Sequence, residues 1–209
     1  RNLSQKFPAV HVFDTDPEKV RRLQGWFGEG QLQDAEPDKV GRISTDASFR
    51  TSVIPASSVG EIGSTCNIVI LSLPTSEVVK TVVLGPEGLA AALKRGSIII
   101  DTSTTEVGVV QEIATALSKQ GISFLDAPVS GGEKAAIEGT LSFMVGGDEQ
   151  VFETCKPYLS AMGASVVRTG GTGMGQVAKC VNQIIVGATF AAIAESFALG
   201  ARAGLDPKI

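Results

Sequence analysis

The stretch "SIIIDTSTTEVGVVQEIATALSKQGISFLDA" (97–127) decides the fold. Residues 97–101 and 122–127 are short runs rich in Ile, Leu and Phe, apolar on both faces, as strands covered from above and below must be. Between them, 105–119 carries apolar residues at helical spacing. A strand, a helix and a second strand of this kind form a right-handed crossover. The same alternation extends outward. Residues 9–13, 67–73, 141–145 and 164–169 read as strands, and 16–27, 86–94 and 148–162 as helices. The expected fold is therefore α/β, a doubly wound sheet. The polar stretch 28–60, rich in Gly, Ser, Asp and Pro, is longer than a crossover needs and is expected to be a surface insertion. From Met174 to about Ala203 small and aliphatic residues run almost all round a long helix, which should be buried against a partner subunit or a second domain.

Composition excludes several classes of function. The 209 residues carry a net charge of −4 with no basic block, which argues against a nucleic-acid partner. Cys66, Cys155 and Cys180 lie far apart with no metal-type spacing, so neither a disulfide framework nor a metal site is expected, and an intracellular setting fits. The apolar run Ile184 to Ala194 is shorter than the roughly 20 residues of a membrane span, so no membrane association is expected. "RNLSQKF" (1–7) reads as the last turns of a helix that begins earlier, and the chain is taken as a fragment, truncated at both ends.

A doubly wound sheet binds ligands beyond the carboxyl ends of its strands. Asp14 closes the first such run; an acid there bonds a ribose 2′-hydroxyl in dinucleotide-binding folds, but a helix cap before Pro17 explains it equally well. Leu73-Pro74-Thr75 and Asp101-Thr102-Ser103-Thr104 end two others and place hydroxyls and backbone groups over the crevice, although either also serves as a helix-starting turn. "GMGQVA" (173–178) mimics a glycine fingerprint, but no strand returns after the helix it opens.

The bend Ser130-Gly131-Gly132, after Pro128, offers a hydroxyl and close backbone approach to an anion, a carboxylate being the natural guest; the alternative is a tight turn between strands. Lys179 stands among Val177, Ala178, Cys180 and Val181 on the long helix. A lysine in an apolar setting is costly unless it faces a ligand or an acid, and desolvation suits it to proton transfer near neutral pH. Asn182 and Gln183 share roughly its face. His11 and the cysteines are given no chemistry.

"DAPVSGGEKAAIEGTLSFMVGGD", "GTGMGQVAKCVNQ" and "LSLPT" together resemble the beta-hydroxyacid dehydrogenase family, which includes 3-hydroxyisobutyrate dehydrogenase and tartronate semialdehyde reductase. The resemblance implies a Rossmann-like NAD(P)-binding domain over 1–170, lacking its first strand and glycine loop, and the start of an all-α C-terminal domain over 171–209. It implies that Lys179 is the catalytic acid and base, that Ser130, Gly131 and Gly132 hold the substrate carboxylate, and that Asn182 and Gln183 contact substrate. Leu73, Pro74 and Thr104 line the cofactor. Asp14-Thr15, where some members have Asn-Arg, favours NAD over NADP. Asn182-Gln183 replaces the Asn-Asn of many members and is similar to tartronate semialdehyde reductases. Other readings are a 6-phosphogluconate dehydrogenase, for whose phosphate the bend offers only Lys134, and a non-catalytic binding or oligomerisation relative. The implied partners are a small hydroxy acid and, at full length, further copies of the chain; the implied compartment is cytoplasmic or mitochondrial.

Overall fold

A computed structural model describes residues 2–25, 52–206 and 208. In chain order, a 3-10 turn at Leu3–Gln5 leads into β1 (Ala9–Val12), α1 (Pro17–Gly25), β2 (Ser52–Pro55), α2 (Val59–Thr65), β3 (Ile68–Leu71), α3 (Ser76–Leu84), α4 (Leu89–Ala92) and β4 (Ile98–Asp101). There follow α5 (Val107–Ser118), β5 (Ser123–Asp126), β6 (Val129–Ser130), α6 (Gly132–Glu138), β7 (Leu141–Gly146), α7 (Glu149–Leu159), β8 (Gly163–Gly170) and α8 (Met174–Arg202).

The main sheet has six strands and is covered on both faces. Alternation along β4 shows how: Ile99 points into a core with Val79, Val83, Val110, Ile113 and Leu117, while Ile98 and Ile100 point into a second core with Phe143, Phe152 and Leu159. β3, β4 and β5 run parallel in register, which levels their carboxyl ends in one row, Leu71 beside Asp101 beside Asp126. The sheet is mixed rather than wholly parallel, because β7 runs antiparallel to both β5 and β6. The chain breaks at Pro128 and returns through the short β6 and α6, without a crossover onto the same edge.

Most of the insertion expected at 28–60 lies outside the described residues, but its tail requires a correction. Ser52–Pro55 pairs in parallel with β1, and Val59 opens α2, so neither segment is loop. The β-branched pair Val53-Ile54 supplies the strand propensity that the surrounding polar residues conceal. The two-residue β6 and the helices α2 and α6 are additions to the sequence reading, whereas α3 starts from the Leu73-Pro74-Thr75 turn that offered a helix start.

The long helix forms where expected, over Met174–Arg202, yet within this chain only Gly175 and Gln176 on it are buried. Its first turns pack on β7 and β8; beyond them Ile184, Phe190, Phe197 and Leu199 are exposed. By length and composition alone α8 is long and apolar enough to cross a membrane. A helix covered by other protein has the same composition.

Candidate active site at the strand tips and the start of the long helix

The loop after β4 is held from beneath by a buried acid. Asp101 accepts hydrogen bonds from the Ser103 amide (3.0 Å) and the Thr105 hydroxyl (2.7 Å). Burial pushes its pKa above the ordinary carboxylate value, and the bonds from Ser103 and Thr105 oppose that rise. Thr102 turns its hydroxyl to the Leu71 carbonyl at 2.5 Å, and the Ser103 hydroxyl accepts from the Leu73 amide at 2.8 Å. With these neighbours fixed, Thr104 is exposed after β4, and Pro74 is exposed after β3 beside Ser72 and Thr75. The tips of β3 and β4 thus form one tied surface with a free hydroxyl-bearing side chain, a donor set suited to the sugar and amide groups of a dinucleotide.

Asp126, at the tip of β5, joins this surface to α8. Its carboxylate accepts from the amides of Gly173 (2.8 Å) and Gln176 (3.0 Å), orphan donors at a helix start. Burial raises its pKa, while the backbone bonds from Gly173, Gln176 and Gly175 pull it down. The positive end of the helix dipole favours the carboxylate here. Gly175 explains why the sequence mimics a fingerprint: a Cβ there would stand 2.5 Å from the carbonyl oxygens of both Asp126 and Met144. Gly175 lets the helix lie directly on the strands, and Gly173, with φ of +90°, turns the chain into it. Gln176, fully buried, donates from its carboxamide to the Ser103 carbonyl at 2.9 Å.

One helical turn further on, the half-buried Lys179 donates from Nζ to the carbonyl of Val129 at 2.8 Å. That carbonyl immediately precedes Ser130-Gly131-Gly132, so the ammonium group and the bend meet at one place. The bend requires its glycines. Gly131 and Gly132 have φ of +124° and +67°, and a Cβ on Gly131 would stand 2.5 Å from that of Ala135. Asn182 is half-buried, and its amide reaches the carbonyl oxygen of the exposed Gln183 side chain at 3.3 Å.

Asp14 lies apart from this cluster in hydrogen-bonding terms, just past the end of β1, which pairs with β2 in a separate two-stranded sheet. Its carboxylate accepts from the Asp16 amide at 2.9 Å and lies 3.5 Å from Lys19 Nζ, so it shapes the turn into α1. Asp16 accepts in turn from the Glu18 amide at 3.0 Å, at the start of α1. An open groove of about 990 Å³, bordered by Phe13, Ser57, Gly60, Val82 and Gly88, shares no residue with the Lys179 cluster. Asp126 and Gln176 are additions to the residues singled out in the sequence, whereas Ser103 belongs to the strand end named there. The signal for Asp126 was present, an acid ending a strand otherwise apolar on both faces. Among the described residues no group of His, Cys, Asp and Glu is arranged to hold a metal ion.

Comparison with known proteins finds similar families, relatives and folds. The family described as the NAD binding domain of 6-phosphogluconate dehydrogenase matches residues 1–171, and that described as NAD-binding of NADP-dependent 3-hydroxyisobutyrate dehydrogenase matches 173–209. The mitochondrial 3-hydroxyisobutyrate dehydrogenase of Mus musculus is 42% identical over 154 residues, covering 74% of this chain and 46% of the mouse protein. The 2-(hydroxymethyl)glutarate dehydrogenase of Eubacterium barkeri is 39% identical over 148 residues, 71% of this chain and 49% of its own length. Among solved structures, the 3-hydroxyisobutyrate dehydrogenase of Mycobacterium tuberculosis with L-serine has a TM-score of 0.69 at 36% identity, covering 75% of this chain and 53% of that one. The chain spans about half the length of the curated relatives it matches.

Proposed function

This chain belongs to the beta-hydroxyacid dehydrogenase family, and on that footing we propose that it carries the proton-transfer and carboxylate-binding groups of an NAD-dependent oxidoreductase acting on a short beta-hydroxy acid. The observation that carries the reading is the 2.8 Å contact of Lys179 Nζ with Val129, which sets a proton donor at the mouth of the Ser130-Gly131-Gly132 bend.

In the reduction direction the Lys179 ammonium gives a proton from Nζ to the substrate carbonyl oxygen, and in the oxidation direction the amine takes it from the hydroxyl. The Ser130 hydroxyl and the backbone N–H groups of Gly131 and Gly132 bind the substrate carboxylate and so fix which carbon faces the crevice. Asn182 and Gln183 hydrogen-bond the substrate from the next turn of α8. A nicotinamide dinucleotide, when bound, supplies the hydride acceptor or donor. Leu73, Pro74 and Thr104 would line it, and Asp14 would bond its adenosine ribose 2′-hydroxyl, an acid that repels a 2′-phosphate and favours NAD. The two family matches meet at residue 172, which supports a division into a dinucleotide-binding part over 1–170 and the opening of a helical part over 171–209.

The exposed apolar side of α8 is taken to be covered by protein, whether a further domain or a second copy of the chain. Lys179 and Glu195, charges within the helix, favour that cover over lipid. Cytoplasm or mitochondrion is the proposed compartment, the mouse relative being named mitochondrial.

The test is reduction of NAD and NADP by the longest natural chain that carries these residues, offered 3-hydroxyisobutyrate, glycerate and threonate. Turnover with one or more of them and NAD is expected, and preference among them separates a 3-hydroxyisobutyrate dehydrogenase from a tartronate semialdehyde reductase. Binding of cofactor without turnover of any short hydroxy acid would refute the assignment.

A further inference from the structure

We propose that Asp126 and Gln176 are positioning residues for Lys179, clamping the first turn of α8 so that the ammonium group and the loops of Leu73 and Ser103 keep one fixed relation. This deepens the reading of Lys179 as acid and base, and rests on it.

An unbroken set of bonds links the strand tips to the start of α8. The Leu73 amide reaches the Ser103 hydroxyl, and the Ser103 carbonyl accepts from the Gln176 carboxamide. The Gln176 amide and the Gly173 amide share the two oxygens of Asp126, at 3.0 and 2.8 Å. Lys179 stands three residues beyond Gln176, on the same face of the helix, and closes the circuit on Val129, three residues beyond Asp126. Each of Asp126 and Gln176 is almost wholly buried, so neither touches substrate by itself. Rotation of α8 by a fraction of a turn would break the Gln176 bond and withdraw Nζ from the bend together. Glycines at 146 and 175 leave the helix no slack toward the strands, since a Cβ at either would stand within 3 Å of Asp126 oxygens. The only direction of yield is outward or in rotation, and the two side chains oppose both.

The experiment uses the full natural chain with Gln176→Leu, Gln176→Met and Asp126→Asn. A short pulse of acetic anhydride is read by mass spectrometry as the acetylation rate of Lys179 relative to the exposed Lys134, with Lys80 on α3 as a reporter of general loosening. The ratio should rise about 2- to 10-fold, the range set by the loss of one net hydrogen bond. In parallel, kcat should fall about 10- to 100-fold with KM for the cofactor little changed, because misplacement of an acid acts on the chemical step. An unchanged Lys179 ratio overturns the proposal, as does a rise shared equally by Lys80. A raised ratio with undiminished kcat upholds the positioning and overturns the chemistry assigned to Lys179, so the two failures are distinguishable.

Discussion

Gly175→Ala adds one methyl group at the tightest contact of the site. The new carbon would stand 2.5 Å from the carbonyl oxygens of Asp126 and Met144 and 2.8 Å from Asp126 Oδ2. Two of these obstacles are strand backbone and cannot swing aside, so α8 must lift from the sheet. Overpacking of this kind costs about 3 kcal/mol, the upper end of its usual range. Helix propensity returns at most about 1 kcal/mol, because alanine orders more readily than glycine. The net loss of about 2 kcal/mol corresponds to a fall in Tm of about 4 to 8 °C for a chain of this length. Gly187→Ala is the matched control: it makes the same change in the same helix with nothing within 4 Å of the new carbon, so only the propensity gain remains. Thermal unfolding followed by circular dichroism should therefore move in opposite directions for the two variants. Equal stability of both would refute the close seating of α8 on β5 and β7, and with it the placement of Lys179.

Further outcomes follow from the same structure. Burial pushes the Cys155 thiol up to about 11, whereas Cys180 is exposed; at pH 8 a disulfide reagent should modify Cys180 within minutes and leave Cys155 intact until the protein unfolds, and prompt reaction of Cys155 would contradict its burial. Replacing Asp14-Thr15 with Asn-Arg should shift the ratio of kcat/KM for NADP over NAD upward by at least about 10-fold, the scale of one charged contact, and an unmoved ratio would remove the ribose role. Asp126 has a folded pKa raised by burial above the ordinary 3.8, so in the window between those values the native state binds more protons than the unfolded chain. Its contribution to stability therefore declines as pH rises across that window. Asp126→Asn removes this decline, and its urea midpoint plotted against pH should slope less steeply downward there than that of the parent; parallel curves would contradict the assignment.

What could be read directly from the residues was whatever is local and costly. Lys179 stood out because a charge among Val177, Ala178 and Val181 needs a reason, and Ser130-Gly131-Gly132 because consecutive glycines after a proline leave a bend no bulk. The three parallel strands at 68–71, 98–101 and 123–126 announced themselves through apolar residues on both faces. β2 did not, because Val53 and Ile54 are too short a run to stand out against their polar flanks. The Leu73-Pro74-Thr75 turn did offer a helix start, and Thr75 caps α3 there, accepting from the Val78 amide at 3.3 Å. The partners of Asp126 lie 47 and 50 positions later in the chain, a pairing set by the topology and invisible to any local pattern. The glycines of "GMGQVA" illustrate the same limit: their spacing is that of a phosphate loop, yet Gly175 serves the approach of a helix to two strands and Gly173 the turn before it.

The account turns on proton transfer at Lys179 Nζ, and the turnover of Lys179→Ala in the full natural chain tests it most directly. With the hydroxy acid that the parent enzyme oxidises, kcat should fall about 100- to 10,000-fold, the usual worth of a general acid and base, with cofactor affinity little altered. Turnover close to that of the parent would contradict the claim that this lysine moves the proton.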